Sequence, residues 1–546
     1  MDRRKFIGSS MGALAAGTWM NSPLAMALGG ADGPTPGATV ETHLGKVRAQ
    51  TQVGVQAFRG VPYAAPTAGA NRFMPPAKRK EWTGVKDCFD LGQRSPQRDS
   101  EFFGFVPKAL EPMCPAEPMG EDCLVLNVWT PSASNSGNTK RPVMVWLHGG
   151  GYTTGSGGFV CYNGQELARK HDVVVVTVNH RLTVFGYLYF AGIGGEKYAH
   201  ASNVGMMDIV AALEWVRGNI AAFGGDPNNV MIFGQSGGGG KVSALMAMPP
   251  AHGLFHKAII QSGADVRGVS VDAANKSAEI FLSKLNLKPD QIDQLQQMPV
   301  DQLLAAAAGG PPGTPGLALA PVVDGSTLPG GPFDPTAPEL SANVPLMIGT
   351  VETEVTFFPG QILDPIDDAN FHARVKQMLA KASDAQVDQV IAAYKAGRPG
   401  VPNTDVYLAM ASDATFRAGV VLEADRKAAQ KAPVYQYYFT WHSPVQDGKL
   451  RAFHTLEIPF AFDVVDLASS MTGTGADRQP LADKVSGAWV AFARSGNPNH
   501  AGIPKWTAFN ATERPSMHID NDWKLVNDPD REERTAMAQL PRLPMF

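Results

Sequence analysis

"NNVMIFGQSGGGG", residues 228–240, decides the fold. Val230 to Phe233 form an unbroken apolar run, the pattern of a strand covered on both faces. Four glycines then follow one serine. Glycine has the most backbone freedom to lose on folding, so such a run needs a reason beyond local stability. "VSALMAM" (242–248) resumes with apolar residues at helical spacing. Between strand and helix, Gly234-Gln235-Ser236-Gly237-Gly238 reads G-x-S-x-G. That is the tight turn that presents one serine hydroxyl at the end of a strand. Glycines at 234 and 238 clear space around it, and the helix that follows aims its N-terminal amides at the site.

Working outward, further apolar, β-rich runs appear at 143–149, 172–180, 256–263, 344–350 and 434–441. Several lack polar alternation, which implies a sheet buried on both faces. Helical patterns lie at 206–223 and 481–496. Strands alternating with helices predict an α/β fold built on a large, mostly parallel sheet. The loops at 309–316 and 328–335 are rich in Gly and Pro, and no repeat or clean linker divides the chain.

A serine hydroxyl is a weak nucleophile at neutral pH and needs a base, an orienting acid and donors for the oxyanion. "LHGGG" (147–151) ends an earlier strand, as an oxyanion loop does. Gly150 and Gly151 can present bare amides there, and Gly237 adds the amide after the nucleophile. In this fold class the order is serine, acid, histidine. Glu352 and Glu354 follow the strand at 344–350, and His442 and His454 follow the strand at 434–441. Spacing alone leaves both pairs open.

The chain resembles the type-B carboxylesterase family through nearly all of its length. "FRGVPYAAP", "EDCLVLNVWTP", the run from Asn203 to Gly238, "AIIQSG" and "FARSGNPN" carry the likeness. The resemblance implies an α/β-hydrolase fold with long loop and helical excursions, and a serine carboxylesterase acting on a small-molecule ester. "GTVETEVTFF" (349–358) lines up with the family's acid segment and picks Glu354. "RAFHTLEIPFAF" (451–462) lines up with the histidine segment. It picks His454, with Glu457 as a supporting glutamate. The implied triad is Ser236, Glu354 and His454; no metal or organic cofactor is called for. Three residues depart from the family pattern: Gln235 for Glu, Gly237 for Ala and Val355 for Gly. The family's early disulfide is also altered. Cys123 matches its second cysteine while the first falls near Ser95, so a bridge would have to use Cys88 or Cys114.

Composition bounds the rest. The chain has 546 residues, 44% hydrophobic and 18% charged, with a net charge of -4. That is globular material with no electrostatic case for nucleic acid. No apolar run in the body of the chain is long enough to cross a bilayer. The start, "MDRRKFIGSSMGALAAGTWMNSPLAMA", has a basic head with paired Arg3 and Arg4, an apolar stretch and the small-x-small end Ala25-Met26-Ala27. This predicts a twin-arginine export signal over 1–27, a single domain over 28–546 and a periplasmic or secreted protein. Export would permit a disulfide; none of Cys88, Cys114, Cys123 and Cys161 forms a CxxC pair, which argues against zinc. Oligomeric state is not legible.

Two other readings accompany the esterase. A lipase would need an apolar lid, for which "SEFFGFVPKALEPM" (100–113) offers Phe102, Phe103 and Phe105. A non-catalytic binding protein of the same fold generally lacks the serine or histidine. One more expectation follows from the glycines. With no side chains at 149–151 or 237–240, the walls beside the scissile carbonyl are bare, and esters of bulky tertiary alcohols should fit.

Overall fold

The structure is a computed structural model that describes residues 34–99, 112–115, 117–133, 140–309, 316–358, 361 and 364–540. The export segment 1–27 and the larger part of the flap at 100–113 lie outside the described residues.

Seven strands form a continuous parallel sheet, in spatial order Val174–Val178, Arg141–Leu147, Gly225–Gln235, Lys257–Gln261, Leu346–Val351, Val434–Phe439 and Pro515–Ile519. The first six are the runs expected from the sequence. Antiparallel strands extend the sheet at the N-terminal side, where Val125–Thr130 pairs Val174–Val178 and leads out to Val55–Pro62, Gly45–Gln52 and Thr35–Thr42. Lys524–Asn527 closes the other edge antiparallel. Of these, Thr35–Thr42 and Gly45–Gln52 mix buried and exposed residues, whereas Val125–Thr130 is buried throughout like the central strands; the outermost strands gave a weaker signal in the sequence.

Apolar residues fill both faces of the sheet. One layer centres on Val143, Val145, Ile232, Ile260 and the helix Val204–Asn219. The other centres on Trp146, Phe233, Met347, Tyr437 and the helix Arg478–Ser495. Each fully buried Val, Ile, Leu or Phe stabilises by roughly 1.5–3 kcal/mol. That sum holds the parallel strands rigid, and their C-terminal ends all point to one edge. The loops after Leu147, Gln235 and Val351 therefore emerge side by side, as ligand-binding loops of open α/β sheets do.

Candidate active site

Ser236 stands between the strand ending at Gln235 and the helix Gly237–Ala247, with φ 58° and ψ −128°. A non-glycine residue held at positive φ stores strain, of order 1–3 kcal/mol. Neighbours hold it there: its amide donates to the Gln261 carbonyl at 2.8 Å, and its carbonyl accepts from the Gly240 amide at 3.0 Å. The helix begins at the glycines themselves, five residues before the apolar run at 242. Four glycines in a first turn cost about 1 kcal/mol each relative to Ala. Close approach explains them. A Cβ at 237 would stand 2.1 Å from the Gly151 carbonyl oxygen, one at 238 would stand 2.0 Å from the Leu147 oxygen, and one at 240 would stand 2.6 Å from the Tyr152 hydroxyl.

This corrects the expectation of bare, roomy walls. A Cβ at 237, 238 or 239 would meet neighbouring backbone and one at 240 the Tyr152 hydroxyl, so these glycines let the elbow helix close against the glycine loop after Leu147.

His454 and Glu354 meet deep in the protein, at 1% and 0% exposure. The His454 Nδ1–H donates to Glu354 Oε2 at 2.5 Å, and Glu354 Oε1 accepts the Val351 amide at 3.0 Å. That leaves His454 Nε2 with its lone pair. The two loops are stitched directly together. Thr353 bridges to Phe453, the Thr353 amide donates to Ala452, and the Thr356 hydroxyl donates to Leu450 at 2.6 Å. Phe357, Phe358 and Phe416 surround the imidazole with ring centroids 5.5, 5.4 and 4.7 Å away. The other pair open to the sequence, Glu352 and His442, is bonded to itself at the surface, away from Ser236.

The Gln235 side-chain nitrogen sits 3.3 Å from His454 Nδ1 and 3.2 Å from Nε2. An atom nearly equidistant from both ring nitrogens lies along the lone-pair direction of neither, so Gln235 touches the ring without capping its basic nitrogen. Its own carbonyl oxygen is buried with no partner among the described residues. Glu457 is fully buried below, accepting from Gln261 Nε2 at 3.2 Å. Burial, and then the nearby Glu354, push its pKa from 4.5 up to about 8, so it is largely protonated at neutral pH. Gln261 links the cluster: its backbone oxygen takes the Ser236 amide, and its Oε1 takes the Trp489 indole N–H at 3.1 Å.

The glycine loop after Leu147 needs positive φ, 90° at Gly150 and 59° at Gly151, values an L side chain rarely adopts. The amides of Gly150, Gly151 and Gly237 donate to no backbone carbonyl among the described residues. His148 is buried and folded back, its Nδ1 donating to the Gly149 carbonyl at 2.8 Å. Burial and the nearby Lys241 ammonium bring its pKa down to about 3, so it is neutral. Lys241, fully buried one turn into the elbow helix, went unnoticed in the sequence. A lysine set between glycines and an apolar run was the available signal.

Ser236, His454, Gln235, Gly149 and Gly150 line one cavity with Met113, Cys114, Phe159, Cys161, Tyr162, Phe357, Ile458 and Met471. Its free volume is ≈ 40 Å³, room for about three waters. Thr455 adds a hydroxyl to the lining, and the remaining walls are largely apolar.

No disulfide joins the four cysteines. Ser95 does sit beside Cys123, where the family's first cysteine falls, and hydrogen-bonds its thiol. Neither Cys88 nor Cys114 takes that place. Burial pushes the Cys88 and Cys123 thiols up to about 12. Among the described residues, no helix is long and apolar enough to cross a membrane.

Residues 36–538 match the model of the Carboxylesterase family. The para-nitrobenzyl esterase of Bacillus subtilis (strain 168) is 34% identical, over 91% of this chain and 98% of its own. The phenmedipham hydrolase of Pseudarthrobacter oxydans is 34% identical, over 89% and 96%. A solved carboxylesterase of Geobacillus stearothermophilus superposes with a TM-score of 0.79 at 34% identity, over 91% and 99%. The chain belongs to the carboxylesterase family, has its α/β-hydrolase fold and is a carboxylic ester hydrolase.

Proposed function

We propose that this family member cleaves esters through an acyl-enzyme on Ser236, with His454 as general base and Glu354 as orienting acid. The carrying observation is the buried 2.5 Å bond from His454 Nδ1 to Glu354, with His454 and Ser236 lining one cavity. His454 Nε2 takes the hydroxyl proton as Ser236 Oγ attacks the ester carbonyl. Glu354 stabilises the imidazolium that forms. Gly150, Gly151 and Gly237 offer amides to the oxyanion. The proton on Nε2 then passes to the departing alcohol oxygen, and water repeats the sequence on the acyl-enzyme.

The small apolar cavity supports esters with short acyl chains over lipid substrates. The working unit is the single domain 28–546, exported to the periplasm or beyond after removal of 1–27. Fractionating cells that express the full chain tests export, and Arg3→Lys with Arg4→Lys should trap it inside. Ser236→Ala tests the chemistry: turnover of p-nitrophenyl acetate should fall by roughly four to six orders of magnitude with the fold intact, because triad members act as a unit. A variant keeping a tenth of the activity would overturn the assignment.

A further inference from the structure

The elbow helix carries a charged group that the reaction above does not use. Lys241 lies four residues beyond Gly237, on the same helix, with no exposed surface. Its ammonium donates to the His148 carbonyl at 3.0 Å and to the Gly151 carbonyl at 2.9 Å. It also stands 5.2 Å from the centre of the Tyr152 ring. Those two carbonyls mark the ends of the glycine loop. Between them the Gly149 carbonyl accepts from His148 Nδ1 at 2.8 Å and the Gly150 carbonyl from the Thr154 amide at 3.1 Å, so the inner peptide planes are held within the loop and the two outer carbonyls are left to Lys241. A lysine reaching out of the elbow helix ties both ends of this loop to the element that carries Ser236.

Stability alone does not account for the residue. Burying an ammonium without a carboxylate partner is unfavourable, and burial brings Lys241 down to about 7. A methionine would fill the same volume without that cost. What methionine would lack is the pair of bonds to the loop.

We propose that Lys241 is a positioning residue of the oxyanion site, clamping the His148 and Gly151 carbonyls so that the Gly150 and Gly151 amides face the oxygen that becomes charged. This rests on the acyl-enzyme reading of Ser236. The clamp acts on the transition state and leaves ground-state ester binding nearly untouched. Removing one oxyanion donor typically costs about 10²–10³ in kcat, and misaligning two should cost a similar amount.

The test compares Lys241→Met and Lys241→Arg with the parent in the full chain. Lys241→Met should keep KM within about threefold and lose roughly 10²–10³ in kcat. Its affinity for an aryl trifluoromethyl ketone, whose serine adduct carries an oxyanion, should fall in parallel. Lys241→Arg, which keeps donors for both carbonyls, should hold kcat within about tenfold of the parent. A role in folding alone would lower the thermal midpoint and leave both kcat and ketone affinity unchanged in the folded fraction; that result overturns the clamp. If the Met variant does not fold, the Arg variant decides: the parent's thermal midpoint with kcat down more than a hundredfold also overturns it. Ser236→Ala, assayed alongside, separates the two layers. An active Ser236→Ala removes the elbow site and the clamp together, whereas an inactive one beside a fully active Lys241→Met removes the clamp alone.

Discussion

His442 and Glu352 are bonded to each other at the protein surface, Nε2 to Oε2 at 2.5 Å, with side chains 52% and 34% exposed. Glu352 lies two residues before Glu354 and His442 twelve before His454, each pair following one strand. Their bond to one another raises the His442 pKa, the hydrogen bond that its ring N–H donates to Glu352 being the first cause. An exposed pair of this kind contributes about 0–1 kcal/mol.

His442→Ala should therefore cost little, about tenfold in kcat/KM or less, while His454→Ala should be nearly as damaging as loss of the serine. Steady-state assays of both variants on one short ester check the ranking. The reverse order would move the base to the surface pair.

Gln235→Glu would set a carboxylate where an amide now lies 3.2–3.3 Å from both nitrogens of His454. A neighbouring negative charge favours the protonated imidazole, and the base must be neutral to act. Activity should thus be lost at a higher pH as pH falls, with the acid limb of the kcat/KM profile moved upward. A limb that stays put or moves down would show that position 235 does not sense the imidazole.

Gly237→Ala should lower kcat by at least tenfold. The new Cβ would meet the Gly151 backbone, its oxygen 2.1 Å and its Cα 2.5 Å away, so the oxyanion loop must retreat. Because the loop and not a substrate pocket yields, n-butyl and tert-butyl acetates should fall together. A selective loss of the bulky ester, with the n-butyl rate preserved, would restore the view that this glycine clears room for substrate.

Glu457→Gln probes the buried carboxyl beneath the site. The folded protein holds this proton up to about pH 8, whereas the ordinary carboxyl value is 4.5. Across that window the folded state binds the proton and the unfolded chain does not, so stability declines as pH rises. The amide does not titrate. Between pH 5 and pH 8 the thermal midpoint of Glu457→Gln should fall less than the parent's. Equal declines by calorimetry would take Glu457 out of the account.

Much of this protein is written locally. The strand at Gly225–Gln235, the turn at Ser236 and the helix after it follow from a short stretch of chain. Their signals are hydrophobic period and glycine placement, which neighbouring residues set among themselves. The central strands were legible for the same reason, because burial on both faces leaves an unbroken apolar run. The outermost strands, Thr35–Thr42 and Gly45–Gln52, half solvated, left a fainter trace.

Tertiary structure decided what distant residues do to each other. Glu354 bonds His454 across 100 positions and Gln235 reaches the same ring across 219. Residue spacing could not tell Glu354 from Glu352 or His454 from His442, and family resemblance was needed to choose. In the fold, strand ends and the Thr353–Phe453 bridge carry one pair inward and leave the other in water. The meaning of the glycines changed most. As letters they suggested empty walls; in three dimensions each missing Cβ is the place of a neighbouring segment. Lys241 reads in the sequence as one more lysine, and only the packing of helix against loop removes it from solvent and fixes it to His148 and Gly151. Propensity and period act over a few residues, whereas burial, close approach and charge pairing exist only once the sheet has brought its loops to one edge.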